Sequence, residues 1–223
     1  MITIRKSQDR GHAQHGWLNS YHSFSFADYY DPQWMGFRSL RVINEDFIAE
    51  GQGFGSHPHK DMEIITYVLV GQLKHKDSMG NEGIINAGEV QKMSAGTGVV
   101  HSEFNASSKK EVHLYQIWIT PHTKNLPPMY QQHMLSAEQE NSFVDFPVTI
   151  HQEAKILRGR VSNGRELVYE LTKGNGVWVQ VMEGDLILHG NGLLAGDAAI
   201  IEKEKELKFT TKNNCEFLLF DLK

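Results

Sequence analysis

Cysteine is nearly missing from this chain of 223 residues, where Cys215 stands alone. One thiol cannot close an internal disulfide, so a disulfide scaffold is excluded and a reducing compartment fits. Its neighbours, Asn213-Asn214 on one side and Glu216-Phe217-Leu218-Leu219-Phe220 on the other, read as a strand. The thiol is therefore expected to be a small packed group rather than a nucleophile. No apolar run approaches the roughly 18 residues that a membrane-spanning helix needs. The opening Met1-Ile2-Thr3-Ile4-Arg5-Lys6 lacks the apolar core of a signal peptide, so the expected location is the cytoplasm, with no membrane partner. Clusters of Lys and Arg are missing too. The 22 basic residues are scattered and the net charge is −5, which argues against direct contact with nucleic acid.

Histidine, by contrast, is plentiful at 12 residues, and that excess directs attention to metal. The run Gly51 to Gly71 contains His57-Pro58-His59, and Gly96-Thr97-Gly98-Val99-Val100 leads into His101-Ser102-Glu103. Side chains alternate across a strand, so His57 and His59 share one face, as do His101 and Glu103. Two such pairs on neighbouring strands bring three imidazoles and one carboxylate together. Imidazole suits Zn, Cu, Fe and Ni, and the carboxylate draws the set toward Fe, Mn or Zn. Structural zinc sites are usually rich in Cys, and none is near. Four N/O ligands leave positions open on an ion that accepts five or six.

Glu63 lies at an even offset from His59. In a regular strand it shares the ligands' face, as a fifth ligand, a partner orienting an imidazole, or a plain barrel residue. Glu89, beside a Gly turn, is expected to be solvated. His12, His15, His22, His75, His113, His122 and His133 are expected to cap turns, bond to backbone or sit exposed. His22-Ser23-Phe24-Ser25-Phe26 alternates, which offers a pocket wall or a core segment.

Short apolar runs broken by Gly, Asn and Asp recur along the chain, the signature of an all-β fold. Leu40–Asn44 and Phe47–Ala49 read as a first strand pair, and Val112–Thr120 as the longest strand. Residues 122–147 change character and read as a bridge, with a short helix over 135–141. The second half then echoes the first. Val68-Leu69-Val70-Gly71-Gln72-Leu73 is matched by Val181-Met182-Glu183-Gly184-Asp185-Leu186, and Asn86-Ala87-Gly88-Glu89-Val90 by Leu194-Ala195-Gly196-Asp197-Ala198. Each copy reads strand, Gly turn, strand, Gly-acidic turn, strand, which implies two related barrels. The second copy has no His-x-His and is expected to be empty, supporting the first or helping it to dimerise.

At these residues the chain resembles the cupin superfamily. The first cupin motif, G-x5-H-x-H-x3,4-E-x6-G, reads as Gly51, His57, His59, Glu63 and Gly71, with one extra residue before Gly71. The second survives as Gly88, Gly98, His101 and Asn105, two residues longer and with Gly96 at the usual proline. These departures, with Glu103 after the histidine, resemble the pirin branch, and the carboxylate ligand then maps to Glu103 rather than Glu63. Arg10-Gly11-His12, Tyr29-Tyr30-Asp31-Pro32 and Leu40 to Asp46 look like bacterial pirin-like quercetin 2,3-dioxygenases.

The resemblance implies a double cupin, all-β, with two antiparallel jelly-roll barrels face to face: residues 1–133 with the metal and 134–223 degenerate and without it. It implies one divalent ion held by His57, His59, His101 and Glu103, with Fe(II) first and Zn, Mn, Ni or Cu as alternatives. The partners implied are a flavonol-like small molecule and dioxygen, and the reaction opens the flavonol's central ring with release of carbon monoxide. Glu103 is the candidate base for the 3-hydroxyl proton, although a carboxylate bound to a cation is a weaker base. The alternative is a metal-containing regulatory protein acting through a protein partner.

Overall fold

The computed structural model describes residues 2–135 and 140–223. Among them the only helical element is a 3-10 turn at Ser7–Asp9, and no helix is long and apolar enough to cross a membrane. In chain order the first strands are β1 (Ile2–Arg5), β2 (Gly11–Gln14), β3 (Leu18–His22), β4 (Leu40–Ile48), β5 (Gly53–His59), β6 (Glu63–Val70), β7 (Gln72–Asp77), β8 (Glu82–Asn86), β9 (Glu89–Ser94), β10 (Val99–Asn105), β11 (Val112–Ile119) and β12 (Met129–Met134). There follow β13 (Ser142–Asp145), β14 (Ala154–Val161), β15 (Glu166–Glu170), β16 (Gly176–Leu188), β17 (Asn191–Leu194), β18 (Ala198–Glu202), β19 (Glu206–Thr210) and β20 (Cys215–Leu222).

The strands fall into two compact units, each made from separate stretches of chain. Gly11–Leu135 and Pro147–Gln152 form one; Met1–Arg10, Ser136–Phe146 and Glu153–Lys223 form the other. Among the described residues the strand pairings are antiparallel in both.

In the first unit a seven-stranded sheet runs β12-β9-β6-β11-β4-β3-β2 and a four-stranded sheet runs β5-β10-β7-β8. The β-branched and aromatic run Ile64-Ile65-Thr66-Tyr67-Val68 makes β6 a central strand, buried from Glu63 to Val68. β7 alternates strictly, with Leu73, His75 and Asp77 inward and Lys74 and Lys76 outward. β10 buries Val99, His101, Glu103 and Asn105 in the same way. Ile48, Val68, Leu73, Ile85, Val112 and Leu114 pack as one apolar cluster. Each such side chain contributes about 1.5–3 kcal/mol by leaving water. That cluster gives the inward polar groups of β7 and β10 a rigid setting.

The second unit is a nine-stranded sheet assembly with the path β1-β18-β16-β20-β14-β13. Its core includes Val177, Val179, Leu186, Phe209 and Phe217, with Cys215 buried among them.

The internal repeat is visible in the backbone itself. Gly71 and Gly184 hold φ of 84° and 77°, and Gly88 and Gly196 hold 84° and 83°, a region that a Cβ disfavours. Gly88 N donates to Val68 O at 2.8 Å, and Gly196 N donates to Val181 O at 2.9 Å.

Other expectations change. Leu40–Asn44 and Phe47–Ala49 are not a pair: Leu40–Ile48 is one strand, β4, because Glu45 and Asp46 find polar partners and do not break it. The longest strand is β16, not Val112–Thr120; a bulge between Val181 and Glu183 absorbs Gly184 without ending it. Within the expected bridge, β12 pairs with β9 and β13 with β14. The short helix expected over 135–141 lies largely outside the described residues.

Candidate metal centre

β5 and β10 lie side by side with His57 opposite His101 and Val99 opposite His59. That register, with the two-residue period, turns His57, His59 and His101 toward one point. Ring centroids are 4.4 Å apart for His57–His101, 4.8 Å for His57–His59 and 4.9 Å for His59–His101. Each offers a ring nitrogen within 4.8 Å of the others. Nδ1 of His57 donates to the Gly55 carbonyl at 2.7 Å, which fixes its tautomer and leaves Nε2 as the free lone pair. His59 stands edge-on to Trp118 at 4.9 Å.

A bulge follows His101, so Glu103 faces Phe54 rather than continuing the ladder evenly. Its donor atom groups with His101 and His75, again within 4.8 Å, and not with the full histidine trio. Both carboxylate oxygens are oriented. Thr66 Oγ1 lies 3.3 Å from Oε1, and Gln116 Nε2 donates to Oε2 at 3.0 Å.

The electrostatics favour a cation over protons. Burial, then the neighbouring His101 and His57 rings, pushes His59 down to about 4. Burial and the rings of His57 and His75 push His101 down to about 3. Both rings are therefore neutral near pH 7 and keep lone pairs to give. His101 is 3% exposed, and neither Nδ1 nor Nε2 finds a hydrogen-bond partner. A buried polar atom left unpaired costs about 1–3 kcal/mol. Three imidazoles beside a carboxylate, one of them orphaned, are a donor set that fits a borderline divalent ion.

A cavity of about 470 Å³ opens onto His57, His59 and Glu103. Trp17, Phe26, Phe54, Ile64 and Trp118 make it largely apolar. Ser20, His22, Asn44, Asp46 and Gln116 give it a polar side. The Ser20 hydroxyl donates to Asp46 Oδ1, and Nδ1 of His22 lies 2.8 Å from Asn44 Oδ1. Burial pushes the Asp46 carboxyl up to about 7 against the Ser20 hydrogen bond, with Glu103 and Glu45 adding to the rise. Of the alternating segment, His22 and Phe26 reach this wall while Phe24 is core.

Glu63 does not join the histidines. Asp61, at φ 50°, turns the chain between β5 and β6 and resets the side-chain parity. Glu63 instead meets Lys92 at 2.6 Å in the seven-stranded sheet. Glu89 is not simply solvated: its Oε2 accepts from Asn86 N at 2.6 Å and Gln132 Nε2 at 3.0 Å. His75, expected at the surface or on a turn, is 0% exposed and sits beside His101. Ser20, Thr66 and Gln116 carry no sequence motif, being isolated polar residues inside apolar strands, and Asn44 and Asp46 lie in the Leu40–Asp46 segment without a site role legible there.

The chain matches the family model for pirin over residues 3–119 and that for the quercetinase C-terminal cupin domain over residues 135–222. Among its relatives, the quercetin 2,3-dioxygenase of Escherichia coli (strain K12) is 46% identical, over 100% of this chain and 99% of that protein. A pirin-like protein of Caulobacter vibrioides is 37% identical over 99% of each. The crystal structure of bacterial pirin YhhW from E. coli in complex with nickel(II) is similar at TM-score 0.95, 45% identity and coverage of 100% of this chain and 99% of that one. With its two antiparallel strand units and its histidine-bearing cavity, this chain belongs to the pirin family, built from cupin-type domains.

Proposed function

We propose that this protein is a metal-dependent dioxygenase that opens the central ring of flavonols such as quercetin and releases carbon monoxide. The observation that carries the reading is three imidazoles turned to one point beside an aromatic-walled cavity. Full-length similarity to a protein named for that reaction supports it.

His57, His59, His101 and Glu103 are the residues that would hold the ion, in the first cupin unit. A divalent ion held there, Fe(II) in our reading, would supply Lewis acidity toward an oxygen-bearing substrate and redox chemistry with dioxygen. Trp17, Phe26, Phe54 and Trp118 present flat apolar surface to a planar polyphenol and keep water from the opened ring. Thr66 and Gln116 hold Glu103 in one orientation, so its carboxylate is positioned to take the 3-hydroxyl proton. Atoms balance: the flavonol gains one dioxygen, loses one carbon monoxide and leaves a depside ester. The 134–223 portion carries no comparable donor set among its described residues and is read as support. The single buried Cys215 favours a cytoplasmic setting.

Protein loaded in turn with Fe(II), Mn(II), Ni(II), Cu(II) and Zn(II) is mixed with quercetin in air. Loss of the flavonol absorption band together with carbon monoxide release is expected with at least one metal. No turnover with any of them overturns the proposal.

A further inference from the structure

The donors around His101 form two overlapping groups, and only one holds the His57–His59 pair. The other is His75, His101 and Glu103, all buried. β7 and β10 place them: Glu103 is directly opposite His75, and His101 opposite Asp77.

His75 is held from behind. Its Nε2 lies 3.2 Å from Asp77 Oδ2. The same carboxylate accepts Met79 N at 2.9 Å, Asn81 N at 3.0 Å and Asn81 Nδ2 at 2.8 Å. An oxygen pair so loaded with N–H donors acts as acceptor, so Nε2 of His75 carries the hydrogen and donates. Nδ1 is then a bare lone pair. It is buried and has no hydrogen-bond partner, and the same is true of both nitrogens of His101. A carboxylate behind an imidazole is the usual support of a metal-binding histidine. Tyr130 packs 5.1 Å from the ring and helps to fix it.

We propose that His75, His101 and Glu103 form a second, inner seat for a divalent cation, alternative to the outer seat at His57, His59, His101 and Glu103. The two share His101 and Glu103, so one ion occupies one seat at a time. The three inner donor atoms lie within 4.8 Å of one another, a triangle that closes to bonds of about 2.0–2.2 Å with small shifts. Glu103 in the seat and Asp77 behind it supply negative charge for the buried ion. The N2O set suits Co(II), Ni(II) or Zn(II). His57 and His59 line the cavity whereas His75 and His101 do not, so an ion on the inner seat meets the cavity only on its Glu103 side.

The test is binding of Co(II) alone, followed by dialysis stoichiometry and visible absorption, and is independent of any catalytic activity. The His57→Gln/His59→Gln variant, without the outer seat, is expected to bind one Co(II) with a changed visible spectrum. Adding His75→Gln is expected to weaken that binding at least 100-fold. His75→Gln alone is expected to keep one Co(II) on the outer seat, which also reports correct folding. If it does not fold, His75→Phe, which keeps a ring beside Tyr130, replaces it throughout. The proposal is overturned if the double variant binds no Co(II) while the single His75 variant binds one. It is equally overturned if binding by the double variant is indifferent to His75.

Discussion

Glu63 and Lys92 face each other at 2.6 Å, with side chains 1% and 0% exposed, inside the seven-stranded sheet. Ser94 joins both: its hydroxyl reaches Glu63 at 3.2 Å and meets the Lys92 ammonium. His151 N and Nδ1 each lie 3.3 Å from the same Glu63 oxygen, which fastens Pro147–Gln152 to the strands of its own unit. Burial lowers the pKa of Lys92, and the Glu63 hydrogen bond and charge oppose that fall.

Removing one partner strands a charge in the interior. Lys92→Met is expected to destabilise the fold by about 3–5 kcal/mol, whereas Glu63→Leu/Lys92→Met recovers the larger part of that loss. Denaturant unfolding of the two variants checks this. A double variant no more stable than the single one contradicts it.

Asp46 predicts a pH dependence. Its folded pKa of about 7 lies above the ordinary 3.8 of an aspartate, so the native state binds the extra proton between those limits. The stability this contributes is present below 3.8 and is lost as pH rises through 7. Asp46→Asn removes the effect, so the variant is expected to gain on the wild type by about 1 kcal/mol or more between about pH 5 and 8. Thermal melts across that range measure it; a difference independent of pH contradicts it.

His59 and His101 act in the opposite sense. Their folded values, about 4 and about 3, lie below 6.5, so the unfolded state takes up protons first. Metal-free protein is expected to lose stability as pH falls from 6.5 toward 4, and bound Zn(II) to deepen the loss, since protons compete with it. Melting midpoints that rise on acidification contradict this.

Gln116 and Thr66 meet the donor set through Glu103. Gln116→Leu or Thr66→Val is expected to weaken metal affinity about 10- to 100-fold with the fold retained. Competition with a chelator gives the affinity and circular dichroism the folding control. Unchanged affinity in both variants contradicts the orienting role.

What was legible in the sequence followed from local rules. His57 and His59 sit two apart on one strand, and nothing intervenes to change their face. Gly71 with Gly184 and Gly88 with Gly196 betrayed the repeat, because a left-handed corner leaves glycine in the sequence. The even offset of Glu63 leaves three roles open in the sequence, and the fold selects the barrel residue, because parity holds only within a strand and Asp61 lies between two. His75 alternates with Lys74 and Lys76, but flanking lysines mark only the solvent face of a strand and do not say that the opposite face is a core. Asp46 and Gln116 become site residues only when β3, β4, β11 and β6 lie side by side, which no local pattern encodes.

His101 belongs to both donor groups, and the whole account turns on it. The most direct measurement is metal content by elemental analysis of His101→Ala after loading, with carbon monoxide release from quercetin read on the same sample. A folded protein is expected that retains less than about one tenth of the wild-type metal, because a shared ligand is lost, and that releases no carbon monoxide. A folded variant that keeps one ion per chain would contradict it.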